Sequence, residues 1–164
     1  MPDQSHSPLS GLSRALGRIP SGLFVLTVRH GDHATGMLAS WVQQAGFDPP
    51  MVTVAVRRDR FVNDWIDESG RCTLNQFATG SKSLIRHFSR GFSPEAPAFE
   101  GLALRGDARG GPVLVAALSY LDLEVVGAMV GGDHRVLLAK VVAGDQIDPL
   151  GEPFLHVRAN GFHY

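Results

Sequence analysis

A small antiparallel β-barrel is the fold class this sequence predicts, and three observations predict it. Six or seven short apolar runs alternate or carry β-branched residues, and turn residues separate them at hairpin spacing. Only two or three helical patterns interrupt them, each short. Closing such a set into a barrel would remove the exposed edges it would otherwise leave.

At 164 residues, with 44% hydrophobic and 19% charged residues, the chain reads as one globular domain over 1–164 with residues 1–7 frayed. The net charge of −1, with both signs interspersed, points away from nucleic acid. No apolar run nears the roughly 18 residues of a membrane span, and the N-terminus lacks a signal-peptide pattern. The expected location is cytoplasmic, with no membrane partner. The single cysteine, Cys72, lies in an alternating segment and reads as a buried structural thiol.

Ser7-Pro8 offers an N-cap with Pro at the first helical position, and Leu9, Leu12, Leu16 and Ile19 recur at helical spacing to Pro20. A helix over about 8–18 follows. A strand over Leu23–Val28 leads to the turn His30-Gly31-Asp32-His33. These two histidines lack a third ligand candidate and read as solvent-facing turn residues, not a metal pair. Thr35–Val42 is the second strand and Gln43–Pro50 a loop. Met51–Val56, nearly all apolar and β-branched, reads as a central strand buried on both faces.

Asp59 is a candidate N-cap for a helix over about 60–68 with Phe61, Val62, Trp65 and Ile66 on its apolar face. Arg71–Phe77 alternates as a strand. Ser81–Arg90 reads as a helix with Leu84, Ile85 and Phe88 inward. Residues 91–112, rich in Pro and Gly, read as a surface excursion with one short strand at Leu102–Leu104. The hairpin Leu121–Val125, Gly131-Gly132-Asp133, Arg135–Val142 follows, then a last strand over Phe154–Val157.

Three segments could carry chemistry. In Thr35-Gly36-Met37-Leu38-Ala39-Ser40-Trp41, small residues would let a backbone approach a flat ligand. Taken alone, a strand with a glycine bulge is the simpler reading. Arg57-Arg58-Asp59-Arg60, at a strand end and helix start, would suit a phosphate, or be an exposed charged loop. His134, after Gly132-Asp133, is either a turn residue or a donor to a phosphate or nicotinamide group. No GxGxxG fingerprint, P-loop, GxSxG elbow or CxxC occurs.

In order and spacing these segments resemble the flavin reductase family, whose fold is the FMN-binding split barrel. The resemblance is nearest to the C-terminal flavin reductase module of cyanobacterial flavodiiron proteins. It rests on Ala15-Leu-Gly-Arg-Ile-Pro-Ser-Gly-Leu23, Met37-Leu-Ala-Ser-Trp-Val42, Pro50 and the strand into Arg58-Asp59-Arg60. It continues through Leu74-Asn75, Ile85-Arg-His-Phe88, Pro112-Val113-Leu114, Leu121 to Val126 and Gly132-Asp133-His134. The chain carries Leu38, Asp59 and Arg60 where many relatives have hydroxyl residues, so phosphate recognition would lean on charge.

The resemblance implies a mainly β fold, a six-stranded antiparallel Greek-key split barrel with two or three short helices, as a homodimer. It implies a flavin ring against Met37, Leu38, Ala39, Ser40 and Trp41. The phosphate would lie near Arg57, Arg58, Asp59 and Arg60, with Asn75 and Phe77 beside the flavin and His134 near the nicotinamide. The implied activity is an NAD(P)H:FMN oxidoreductase, with FMN and NADH or NADPH as cofactors, supplying a partner oxygenase or electron acceptor. No catalytic side chain is implied beyond the flavin itself. The alternatives are an FMN-binding electron-transfer or carrier module without nicotinamide turnover, and a barrel serving only in assembly.

Overall fold

The computed structural model describes residues 10–106 and 108–163. Ser7, Pro8, Leu9 and the expected frayed segment lie outside them. Helix α1 spans Gly11–Gly17, and its N-cap is Ser10, whose hydroxyl accepts from the Ser13 amide at 3.1 Å. Strands β1 (Phe24–His30) and β2 (His33–Ala39) form a hairpin across Gly31-Asp32, with Gly31 at φ +57°. β3 (Val42–Phe47) and β4 (Pro50–Arg57) form a second hairpin.

Helix α2 (Val62–Ser69), β5 (Arg71–Gln76) and α3 (Lys82–Ser89) follow. β6 (Leu104–Arg105) and β7 (Val113–Leu114) make a small separate pair. The long hairpin of β8 (Ser119–Gly131) and β9 (His134–Gln146) completes the main sheet.

The seven-stranded antiparallel sheet has the order β2-β1-β5-β8-β9-β4-β3. Its two edges, β2 and β3, are consecutive in sequence and are joined by Ser40 and Trp41 alone. Laid flat, seven strands would put those edges about 29 Å apart at the usual spacing of about 4.8 Å. The link from Ala39 to Val42 reaches at most about 10 Å. The sheet must therefore curl until its edges meet. The Ala55 amide of β4 donates to the Trp41 carbonyl at 3.0 Å, which extends the β3–β4 ladder into the link itself.

Inside the barrel, Leu26, Val28, Val54, Val56, Leu74, Leu123 and Leu137 form the main core, which α2 closes with Val62, Trp65 and Ile66. A second cluster, Leu23, Val25, Phe77, Leu84, Phe88 and Leu114, lies under α3.

Several expectations are corrected. Residues 43–50 are not a loop: Val42–Phe47 is an edge strand, the seventh, with a bulge between Gln44 and Gly46. Its polar Gln43-Gln44 and bulge mask the alternation. β4 is fully buried on one face only, because it lies next to that edge. Asp59 does not cap α2; it pairs with Arg57 at 2.9 Å, and Phe61 occupies the cap position. Phe154–Val157 forms no strand, contributing one isolated bridge, Ser21 to His156, with another at neighbouring Pro153. His30 lies 2.6 Å from Glu68 and stacks on Trp65, and among the described residues no group of three potential metal ligands occurs.

The glycine-rich excursion ends inside the molecule, not on its surface. Gly110, Gly111 and Pro112 are buried, and a Cβ on Gly111 would come within 2.5 Å of the Thr27 backbone. Three buried polar side chains hold this segment. Asp122 accepts from the Arg109 and Gly110 amides, both at 2.9 Å, and from the Thr73 hydroxyl at 3.0 Å. Thr27 Oγ1 donates to the Pro112 carbonyl at 2.8 Å, and Asn75 donates to that carbonyl while accepting from the Leu114 amide at 2.8 Å. Cys72, fully buried beside Asp122, has its thiol pushed up to about 12 by burial first and by the Asp122 charge second.

Asp122→Ala would leave two buried donors, the Gly110 amide and the Thr73 hydroxyl, without an acceptor, each costing about 1–3 kcal/mol, and would free the part-buried Arg109 amide as well. It should lower the urea midpoint by the equivalent of at least ~2 kcal/mol, read by far-UV circular dichroism.

Candidate functional site

The closed seam leaves a cleft of about 550 Å3 where β2 and β4 part. β2 supplies one wall through Met37, Leu38, Ala39 and Ser40, and β4 supplies Ala55 and Arg57. Arg60 comes from the loop before α2 and His134 from the first residue of β9, which pairs with Arg57. Ile85, Phe88 and Ser89 of α3 form the far side, and Leu23, Phe154 and His156 close one end. Most of the lining is apolar, and the charge is concentrated at Arg57 and Arg60.

The order of the chain explains this convergence. β2 must end at the seam, so its last residues face the opening. β4 lies across it, so Arg57 at its end and Arg60 in the loop that follows reach the same opening. Asn63, 94% buried in α2, donates to the Arg57 and Arg60 carbonyls at 2.8 and 3.0 Å and so fixes the loop between them. The Arg58 amide donates to the Asp133 carbonyl at 3.0 Å, tying this loop to the β8–β9 turn. Nδ1 of His134 lies 2.7 Å from Oδ1 of Asp133, and that hydrogen bond is the first cause holding the exposed Asp133 carboxyl below its ordinary range.

Of the twelve residues singled out from the sequence, Met37, Leu38, Ala39, Ser40, Arg57, Arg60 and His134 line the cleft together. Trp41 does not; it lines an adjoining groove and packs tilted against His134, ring centroids 4.5 Å apart. Arg58 and Asp59 are outside the lining, Asp59 being drawn to Arg57. Asn75 and Phe77 are fully buried. Asn75 spends its amide on Pro112 and Leu114, and Phe77 packs in the cluster behind Leu23, so both support the cleft from within the core.

Gly36 also has a different use from the one expected. A Cβ there would meet the Phe88 ring at 2.8 Å and Val25 at 2.9 Å, so glycine admits α3 against β2, not a ligand. Ala55, Asn63 and His156 carry no part in the sequence reading. Phe88 was read as core, which it is, and nothing local marks Ala55 or His156.

The flavin reductase like domain family matches residues 16–163 of the chain. The chain belongs to this family. It is 38% identical over 93% of its length to "Putative diflavin flavoprotein A 3" of Nostoc sp., and 37% identical over 94% to "Diflavin flavoprotein A 1" of Synechocystis sp.. It spans about a quarter of those relatives, 27% in each case.

Among solved structures, the Streptomyces globisporus NADH:FAD oxidoreductase SgcE6 superposes with a TM-score of 0.81 at 24% identity, covering 88% of this chain and 86% of that one. The flavin reductase PheA2 superposes with a TM-score of 0.76 at 22% identity, covering 88% and 90%. The mainly β flavin reductase split barrel is thus the fold. Among the described residues no helix is long and apolar enough to cross a membrane.

The cleft suits the cofactor that this family name implies. The apolar wall would suit a ring, and the guanidinium groups of Arg57 and Arg60 could meet a phosphate. His156 is held below its ordinary value, first by burial and then by the Arg158 charge. The unfolded chain therefore takes up a proton at higher pH than the folded one. Stability should be full above about pH 6.5, the reference histidine value, and should decline as pH falls toward the folded value. An NMR titration should give His156 a midpoint below 6.5, and Arg158→Gln should raise it.

Proposed function

We propose that this domain is an NAD(P)H-dependent flavin reductase that binds FMN in the seam cleft and passes electrons on to a partner. The observation that carries this reading is the pairing of an apolar wall, Met37 to Ser40, with the basic end formed by Arg57 and Arg60. Two likenesses support it. The domain resembles part of proteins named as diflavin flavoproteins. A neighbour of the same fold, SgcE6, was solved in complex with NAD and FAD fragments.

Bound flavin would supply the hydride-accepting ring, and the chain would supply binding, orientation and exclusion of water. Met37 to Ser40 would lie along the ring. Arg57 and Arg60 would give charge-assisted hydrogen bonds to the phosphate. His134, braced by Asp133 on one side and Trp41 on the other, would bound the space left for a nicotinamide. The titratable side chains of the cleft are Arg57, Arg60, His134 and His156, with no carboxylate pair for acid–base work.

A second reading, an FMN-binding electron-transfer module without nicotinamide turnover, is favoured by the chain's match to only 27% of each multi-flavin relative. The purified protein should bind FMN and oxidise NADH or NADPH in an FMN-dependent way. FMN binding without oxidation would leave the second reading, and neither property would remove both. Arg57→Ala with Arg60→Ala should weaken FMN binding at least tenfold, since hydrogen bonds to charged groups contribute about 1.5–3 kcal/mol. Riboflavin binding should change little, and equal losses would move the phosphate elsewhere.

We also propose a homodimer. The β8–β9 hairpin leaves Val126, Met129 and Val130 exposed, Met129 and Val130 by about two-thirds. Sedimentation equilibrium should give twice the 17.6 kDa chain mass, and Met129→Glu with Val130→Lys should give the single chain mass.

A further inference from the structure

The seam opens into a second concavity that the flavin reading leaves unused. It is a groove of about 680 Å3 that runs beside the cleft and shares Ser40 and Ala55 with it. Its sides are largely apolar, formed by Leu16, Ile19, Pro20, Val136 and Leu155. Arg158 is the one charged residue among those lining it.

The guanidinium of Arg158 is held in place. Its carbon lies 5.2 Å from the Trp41 ring centroid, and Nη1 donates to the Gly161 carbonyl at 3.5 Å. The Arg158 backbone is anchored as well, its amide donating to the Gly17 carbonyl at 3.0 Å. Trp41 in turn packs against His134, which lines the cleft, with the two rings tilted by 44°. Trp41 lines the groove and its ring partner His134 lines the cleft, so this tilted pair stands between the two concavities, and Ser40 and Ala55 join them.

We propose that this groove holds the adenosine phosphate half of the nicotinamide dinucleotide, with Arg158 on its 2′-phosphate, so that NADPH is favoured over NADH. The inference rests on the flavin reductase reading above. Hydride transfer requires the nicotinamide to lie on the flavin ring, inside the cleft. A cleft of about 550 Å3 lies within the ordinary range for a site that holds one cofactor-sized ligand. The rest of the dinucleotide must pass into space that opens from the ring side, and the groove does so at Ser40 and Ala55. Its apolar sides suit the purine and ribose, and a preorganised guanidinium suits phosphate oxygens.

The test uses the full chain loaded with FMN and titrates 2′,5′-ADP and 5′-AMP, following the fluorescence of Trp41. The other tryptophan, Trp65, is buried in the core. The expected result is at least tenfold tighter binding of 2′,5′-ADP, without release of FMN. Arg158→Gln should abolish that preference and raise the KM for NADPH more than for NADH, while FMN affinity stays unchanged. Leu155→Glu, at a position 69% exposed, should weaken 2′,5′-ADP in the same direction with little effect on folding.

Absence of nucleotide binding, displacement of FMN by the nucleotide, or an unchanged preference in Arg158→Gln would overturn the proposal. Failure of the wild-type chain to bind FMN would instead overturn the flavin reductase reading. In that case the same titration on FMN-free protein still decides what the groove binds.

Discussion

The two-residue link Ser40-Trp41 is the constraint on which the rest of this structure depends. It ties the two outermost strands of a seven-stranded sheet together, and so converts an open sheet into a barrel. The same link explains why the barrel is split. β2 and β3 meet at the seam without pairing to each other, and the gap beside them is the cleft. Binding surface is thus a by-product of closure, because backbone that cannot complete its ladder faces a cavity instead of a neighbouring strand.

Closure alone would not hold the barrel's interior at the right spacing. The buried trio Thr27, Asn75 and Asp122 draws residues 108–114 across β1, β5 and β8, and every hydrogen bond involved has its partner. Such a network is stabilising only when complete, since each orphaned donor in a dry interior costs more than the bond contributes. Gly110 and Gly111 permit the approach; their missing Cβ atoms leave the space that the Cys72 and Thr27 backbones occupy. Leu114, at the end of that segment, packs in the cluster with Leu23, Phe77 and Phe88. Through those contacts the buried polar network supports the α3 side of the cleft.

Much of this was legible in the sequence, for reasons that differ by element. The hairpins β1–β2 and β8–β9 were readable because Gly31-Asp32 and Gly132-Asp133 sit between alternating runs. The edge strand Val42–Phe47 was not, because an exposed edge tolerates glutamines and a bulge that look like a loop. Met37 to Ser40, Arg57, Arg60 and His134 were identified, and they converge in one cleft. Asn75 and Phe77, expected beside the ligand, are fully buried and do not line the cleft. Ala55, Asn63 and His156 gave no local signal, because what makes them matter is a meeting of distant segments across the seam. Gly36 suggests close approach of a ligand, whereas the groups that approach it are the Phe88 and Val25 side chains.

The site that results joins a wall, a basic end and a braced histidine, each contributed by a separate hairpin or loop. In the proposed complex the flavin ring lies along the seam with its phosphate at the end of β4. The most direct measurement is a crystal structure of the chain with FMN bound. The ring should lie against Met37 to Ser40, with the phosphate within hydrogen-bonding distance of Arg57 or Arg60. A ring bound away from the seam, or a phosphate directed away from both arginines, would contradict it.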